Sequence, residues 1–272
     1  MTLLCVPNIS EGARLDLVEE LRRTVAVDLL DLHVDPHHNR SVFTLVGEEA
    51  PRRLARAAVH LLDISRHVGV HPRIGVVDVV PFVPYGDDVT MDEALQARDS
   101  FAEWMASELG VGCYLYGPER TLPEVRRMAR RQLDDRRSPP DVGPADPHPT
   151  AGFAAVGARL PLVAYNLWIA DGMRHLDATK KLARELRSPS VRTLVLQPGG
   201  RLQLSMNLVD PWRVTPKDVY ETVSTVVPVE RAELVGLIPR PVLEMIDPEM
   251  WELLDLGEDK TIESRLSRWH TS

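Results

Sequence analysis

The sequence has few of the features that commit a chain to a membrane, to nucleic acid or to a disulfide framework. No window approaches the roughly 20 consecutive apolar residues of a membrane-spanning helix. The opening MTLLCVPNISEG has no basic n-region and no apolar stretch long enough for secretion. A cytoplasmic protein without a membrane partner is the expectation. Lysine and arginine number 32 against 40 aspartates and glutamates, a net charge of −8. No basic cluster is long enough to track a phosphate backbone, so nucleic acid is not an expected partner. There are only two cysteines, Cys5 and Cys113, both in apolar, strand-like contexts. They read as buried small hydrophobes rather than as a disulfide or a nucleophile.

What is present is an ordinary globular composition, 44% hydrophobic and 26% charged over 272 residues. That length suits one large domain or two modest ones, and two subdomains are adopted. Leu3–Val6 reads as a short buried strand, and Ser10 as the N-cap of an amphipathic helix through Leu17, Val18 and Leu21. Val27–Val34 and Ser41–Val46 are β-branched, apolar runs around the polar turn Asp35-Pro36-His37-His38-Asn39, which makes a hairpin. A helical period follows from Ala50 to Ile64, then a β-rich run from Ile74 to Val83. Helices near 92–108 and 122–137 flank a strand at 112–116. Ser138–Thr150 then packs five prolines and a glycine into thirteen residues, too stiff and donor-poor for helix or central strand.

A subdomain boundary is expected there, giving residues 1–142 and 143–272 with a linker over 138–152. The second half repeats the order. Strands are expected at 162–169, 191–197, 202–208 and 233–238, with helices at 177–187 and 215–226 and a final helix beyond Pro239 and Pro241. The fold class that follows is α+β, with two ferredoxin-like βαββαβ subdomains related by duplication.

Three polar groups stand out. The first is Arg66-His67-Val68-Gly69-Val70-His71-Pro72-Arg73-Ile74-Gly75, a loop between helix and strand with four cationic or titratable side chains. His67 and His71 have the i,i+4 spacing of a zinc-binding helix face. Gly69 and Pro72 argue against a helix, however, and the zincin glutamate is missing, so no metal is expected. A structural histidine in a turn is the competing reading of His71. The second group surrounds the hairpin. There Asp31 and His33 alternate onto one strand face, where a carboxylate can orient an imidazole, and Arg40 follows the turn. The third is Gln203-Leu204-Ser205-Met206-Asn207, which puts Gln203, Ser205 and Asn207 on one strand face. That pattern suits a surface that reads a polar ligand, or an exposed edge.

Taken in order, these segments resemble the formiminotransferase family. The resemblance rests on Val6-Pro7-Asn8-Ile9-Ser10-Glu11-Gly12, on Asn39-Arg40-Ser41-Val42 with Val46-Gly47, and on His71-Pro72-Arg73-Ile74-Gly75 with Asp78-Val79. Downstream it rests on Tyr114-Leu115-Tyr116-Gly117, Pro140-Asp141-Val142-Gly143-Pro144, Gly157-Ala158-Arg159 with Ala164-Tyr165-Asn166, and Glu233-Leu234-Val235-Gly236-Leu237-Ile238-Pro239.

The resemblance implies a glutamate formimidoyltransferase activity of histidine degradation and one-carbon metabolism: transfer of the formimino group of N-formimino-L-glutamate to N5 of tetrahydrofolate. Formyl transfer between 5-formyltetrahydrofolate and glutamate, and a catalytically silent folate-binding paralogue, are the alternatives. It further implies a homodimer, a ligand tunnel between the two subdomains, tetrahydrofolate as co-substrate and no metal. His71 matches the catalytic histidine, and its ordinary pKa of about 6.5 suits a proton shuttle. The folate-binding segment corresponds to Gly143, Pro144, Ala145, Asp146, Pro147, His148, Pro149, Thr150, Ala151 and Gly152. Substrate contacts are expected from Asn8, Asp31, His33, Arg40, Arg73, Asn166, Gln203 and Asn207, with the Arg40 and Arg73 guanidinium forks matched to carboxylates.

Overall fold

A computed structural model describes residues 2–69, 73–86 and 88–271 and divides the chain into two compact units, Met1–Leu160 and Pro161–Ser272. The first unit runs β1 (Thr2–Cys5), β2 (Asn8–Ile9), α1 (Leu15–Thr24), β3 (Leu29–Asp35), β4 (Arg40–Val46) and α2 (Glu49–Leu61). It continues through β5 (Val77–Tyr85), α3 (Met91–Leu109), β6 (Cys113–Tyr116), α4 (Leu122–Asp135) and β7 (Ala154–Ala158). β1 and β2 are two pieces of one line of chain broken at Val6-Pro7, since both lie antiparallel between β4 and β5. Across the sheet the order is therefore β3, β4, the β1/β2 pair, β5, then β7 and β6, which pair in parallel.

The two faces of this sheet have different partners. Phe43, Leu45, Val80, Phe82 and Val156 point to one side, into a core shared with Leu21 of α1, Leu54 of α2 and Phe101 of α3. Val79, Tyr114, Tyr116 and Ala155 point to the other, against Val125 and Ala129 of α4. Helix α4 covers only the β6 and β7 end of that second face. α3 starts at a reciprocal capping box, Thr90 with Glu93, and stops at Gly110 in the left-handed region.

The second unit contains β8 (Val163–Ile169), α5 (Leu176–Glu185), β9 (Val191–Leu196), β10 (Leu202–Leu208), α6 (Pro216–Ser224), β11 (Val229–Val235), α7 (Arg240–Leu243) and α8 (Ile262–Thr271). Its four-stranded antiparallel sheet has the order β11, β8, β10, β9. Counting strands along a βαββαβ run, this is fourth, first, third, second. The first unit has the same arrangement in β5, β1/β2, β4 and β3. The chain is thus a mixed α+β protein whose two sheets share one strand order, as a duplicated α/β arrangement requires. Among the described residues, no helix is long and apolar enough to cross a membrane.

Two local expectations are corrected, and one strand was not anticipated. Ser10 does not cap α1; its hydroxyl donates to the Gly75 carbonyl at 2.7 Å, Arg14 is the N-cap with no side-chain cap, and the Glu11 carboxylate accepts from the N–H groups of Gly12, Ala13 and Arg14 in the turn ahead of the helix. The strand expected at 233–238 begins earlier, at Val229. β7, with sequence AAVGA, lacks the β-branched signature of a strand. It is nonetheless a central one, kept small because a Cβ on Gly157 would lie 2.2 Å from the Tyr116 ring.

The division between units also differs from the expected 142/143 boundary, falling instead after Leu160. The proline-rich stretch is stitched into the first unit. Val142 bridges Cys113, Gly152 bridges Gly75, and β7 follows directly between β5 and β6. Gly75 is where this stitching is tightest, because an added Cβ would sit 2.0 Å from the Phe153 carbonyl oxygen and 2.5 Å from that of Ala151. Gly75→Ala is expected to cost about 3 kcal/mol, the upper range for forced overpacking, read as a lowered urea midpoint at unchanged m-value.

Candidate functional site

In the first unit, three segments far apart in sequence converge through buried hydrogen bonds. Glu11 is 1% exposed. Its Oε1 accepts from the backbone N–H groups of Gly12, Ala13 and Arg14 at 2.9–3.0 Å, and its Oε2 pairs with the Arg14 guanidinium. The same turn is held from the hairpin. Asn39 sits at φ 49°, a conformation asparagine tolerates better than most residues. Its Oδ1 accepts from Gly12 and Ala13, at 2.9 and 3.1 Å. Its Nδ2 donates to the Val68 carbonyl at 2.9 Å, and its own carbonyl accepts from His67 Nε2 at 2.9 Å. One asparagine therefore ties the opening motif, the hairpin and the 67–69 loop together. Gly12 must be glycine, because a Cβ there would meet the Arg40 backbone nitrogen at 2.6 Å.

His67 and Arg73 are described residues on either side of His71 in the sequence. His71 and Pro72 themselves lie outside the described residues. Arg73 contacts the His67 ring through Nη1, and its Nη2 donates to the His38 carbonyl at 3.4 Å. The Asn39 carbonyl can only accept, so His67 donates to it through Nε2–H, and the Arg73 guanidinium lies against the edge of the same ring. Burial, and secondarily the Arg73 charge, holds the His67 pKa below its usual value, against an opposing hydrogen bond to Asn39.

The sign follows from that depression. Stability is full above the unfolded value of about 6.5 and is lost as pH falls through the lower folded value, because the unfolded chain binds the proton more readily. His67→Gln is expected to flatten the fall in Tm between pH 7 and pH 5, measured by thermal scans across that window.

A β-bulge supplies the charge at the centre. Asn8 pairs with Val79 and Ile9 with Val77, which leaves Asp78 as the extra residue and re-aims its side chain. Asp78 is 1% exposed. Its Oδ1 accepts from the Ile74 N–H at 2.8 Å, and its Oδ2 pairs with Arg126 of α4 at 2.5 Å. Arg40 and Arg73 feel the same carboxylate. Burial lowers the Arg40 pKa to about 10, with Asp78 and Asp35 opposing the shift and Arg126 and Arg73 adding to it. Burial likewise lowers that of Arg73. Three guanidinium groups thus gather around one buried carboxylate, an arrangement suited to binding an anionic ligand.

The remaining hairpin candidates lie on the sheet face that α4 leaves open. His33, Val42, Asn8 and Val79 form one cross-strand row, flanked by the Asp31–Thr44 and Asp35–Arg40 pairs. A second bulge, between Leu29 and Asp31, switches the phase of β3; Leu29 packs on the helix-covered core and Asp31 faces the opposite way. Asn8 Nδ2 donates to the Val6 carbonyl at 3.2 Å.

Residues 143–152 lie against this region. Gly143 and Gly152 both adopt positive φ. The backbones of His148 and Gly152 exchange two hydrogen bonds, and His148 Nδ1 accepts from Ala151 N–H at 3.0 Å, closing the segment on itself. The Gln132 side chain donates to the Ala145 carbonyl at 2.8 Å, and Arg136 pairs with Asp146. Val76 N–H donates to Ala151 and Phe153 N–H to Ile74, at 2.9 Å each, so the segment is laced directly to the chain after Arg73.

In the second unit, the face of β8, β10 and β11 turned away from the apolar core is polar. Gln203 lies opposite Trp168, Ser205 opposite Asn166, and Asn207 opposite Ala164. Gln203 is fully buried, which excludes the exposed-edge reading for it. Asn207 is half-buried, next to Arg192 of β9. Asn166 and Gln203 converge on Glu233.

Among the described residues, no group of three or more histidine, cysteine, aspartate or glutamate side chains is arranged to hold a metal ion. Both thiols are buried. Burial pushes Cys5 well up and Cys113 up to about 12, which makes them poor nucleophiles.

A family model described as the formiminotransferase domain, N-terminal subdomain, matches residues 2–159. The chain belongs to the formiminotransferase family. Its relatives include a glutamate formimidoyltransferase of Streptococcus pyogenes, 34% identical over 88% of this chain and 89% of that protein. Another, from Thermoplasma acidophilum, is 31% identical over 97% of both. The formimidoyltransferase-cyclodeaminase of Sus scrofa is 34% identical, and there the match spans 50% of the longer protein.

The family motifs coincide with the segments that the hydrogen bonds join, since VPNISEG, NRSV, the residues around Arg73 and Asp78 all meet in the first unit. Reading the sequence missed Glu11, Asn39, Asp78 and Arg126 as parts of this hydrogen-bonded cluster, and Trp168 and Glu233 beside Asn166. Glu11, Asn39, Asp78 and Glu233 were visible as motif letters. Nothing local marked Arg126, one arginine among several on α4.

Proposed function

We propose that this chain transfers the formimino group of N-formimino-L-glutamate to N5 of tetrahydrofolate, giving 5-formiminotetrahydrofolate and glutamate. The observation that carries the reading is the length of the match: relatives named glutamate formimidoyltransferase align with 88% and 97% of the chain. The site chemistry agrees with it. Both substrates are polycarboxylates, and Arg40, Arg73 and Arg126 gather around Asp78 beside the loop that leads to His71.

In the reaction N5 of the folate attacks the amidine carbon, and His71 takes the N5 proton. The imidazolium then returns a proton to the glutamate nitrogen as the carbon–nitrogen bond to glutamate breaks. No redox change occurs, and one imidazole serves both steps. Arg40 and Arg73 hold substrate carboxylates. Asn8, Asp31 and His33 line the approach, and residues 143–152 form a wall for the folate whose rigidity lowers the ordering cost of binding. On the second unit's own sheet, Asn166, Gln203 and Asn207 offer polar groups that suit a substrate.

The expected result is stoichiometric appearance of 5-formiminotetrahydrofolate and glutamate when the purified chain is mixed with both substrates, followed by mass spectrometry. Absence of both products, with product formed instead from 5-formyltetrahydrofolate and glutamate, defeats the assignment. A cytoplasmic homodimer belongs to the same reading; sedimentation as a monomer at working concentration argues against the dimer.

A further inference from the structure

Glu233 of β11 is half-buried and sits opposite Asn166 of β8, against the buried side chains of Trp168, Asn166 and Gln203. Its Oε2 accepts from Trp168 Nε1 at 2.9 Å, from Asn166 Nδ2 at 3.1 Å and from Gln203 Nε2 at 3.5 Å. A carboxylate only accepts, so the end of each amide turned toward it must be the NH2 end, whatever the ambiguity of amide orientation elsewhere. Trp168 fixes the carboxylate in turn. Its ring is buried, and the Arg201 and Arg231 guanidinium groups each lie 4.7 Å from its centroid, so the indole N–H cannot swing away from Glu233. With Nδ2 held by Glu233, Asn166 turns its Oδ1 the other way. An oxygen acceptor beside a carboxylate favours a ligand edge that donates N–H, and more so if that edge is cationic.

We infer that Glu233 is a positioning residue that holds Asn166 with its carbonyl oxygen outward, making this face selective for a ligand edge that donates N–H. The inference rests on the function proposed above, which supplies two such edges: the amidinium of formiminoglutamate and the amino-pyrimidinone side of tetrahydrofolate. Replacing the carboxylate by an amide removes the orientation. In Glu233→Gln the new NH2 group can donate to Asn166 Oδ1, so the Asn166 amide can reverse and offer N–H to the ligand instead.

The test is calorimetric titration of formiminoglutamate, N-formylglutamate and tetrahydrofolate, each alone, into the wild-type chain, Glu233→Gln, Asn166→Ala and the double variant. N-formylglutamate carries oxygen where the amidine carries nitrogen, and so accepts where the other donates. If Asn166 reads the one-carbon donor, the wild type prefers formiminoglutamate by about 10- to 100-fold, the range for one hydrogen bond to a charged group. Glu233→Gln and Asn166→Ala each then collapse that preference. If it reads the folate, both variants weaken tetrahydrofolate binding by a similar factor and leave the donor preference unchanged.

In either case the double variant is no worse than Asn166→Ala alone, because Glu233 acts through Asn166. Additive losses in the double variant, equal weakening of all three ligands, or no change in any overturns the inference while the function stands. A wild-type chain that binds none of the three ligands overturns both.

Discussion

His71→Ala is expected to lower kcat by roughly 10²–10⁴-fold, the usual contribution of a positioned general acid–base group, and to leave Tm within a degree or two of the parent. The expected size follows from the chemistry of the transfer. The attacking amine must lose a proton as its bond to the amidine carbon forms, and the departing nitrogen must gain one as its bond breaks. A single group with a pKa near neutrality can do both; alanine can do neither, and water at the same place is a far weaker acid and base. The small effect on stability follows from position, since the anchors of this loop are on either side of His71. Asn39 Nδ2 holds the Val68 carbonyl, and Asp78 Oδ1 holds the Ile74 N–H. Steady-state kinetics at pH 7 with saturating substrates, alongside a thermal scan, makes the comparison. A variant that turns over at the parental rate removes His71 from the mechanism. One that loses Tm along with activity makes it structural.

Asp78→Ala is expected to lower stability by about 3–5 kcal/mol, the cost of removing one partner of a buried ion pair. Both of its oxygens are engaged, by a backbone N–H and by Arg126, at a side chain 1% exposed. Removing the carboxylate also takes away the counter-charge that Arg40, Arg73 and Arg126 share, leaving Asp35 to oppose their repulsion at Arg40. Asp78→Asn separates the two contributions. It can still accept from Ile74 but no longer neutralises the arginines, so its loss should be smaller and should shrink further as salt is added. Urea denaturation at low and high ionic strength reads both effects. An alanine variant within 1 kcal/mol of the parent would show that the bulge does not need the charge.

Much of the architecture was legible locally. The hairpin around 35–39, the helical periods of α2, α3 and α4, and strands β8, β9 and β10 follow from apolar spacing and turn residues, and lie within a few residues of expectation. What escaped was whatever depends on distant backbone. β7 could not be seen because AAVGA is chosen to fit under the Tyr116 ring and between two parallel neighbours, not for strand propensity. Ser10 looks like a cap because Ser before an amphipathic run usually is one. Its hydroxyl instead meets Gly75, and Glu11 folds the turn ahead of the helix by accepting from Gly12, Ala13 and Arg14. The proline-rich stretch reads as a linker, since prolines deny it a ladder, yet its carbonyls and its two positive-φ glycines let it bridge Gly75 and Cys113 inside one unit.

The sequence alone determined the family, the order of elements and the kinds of side chain available for the chemistry, because motif letters and hydrophobic period are properties of neighbouring residues. The tertiary structure decided which of those side chains share a site. Asp78 reaches Arg126 only because a bulge turns it, Asn39 clamps three segments only because its backbone is left-handed, and Glu233 gathers Trp168, Asn166 and Gln203 only in the register of β8, β10 and β11. Cross-strand register and burial are set by the whole fold at once, so no stretch of chain encodes them by itself.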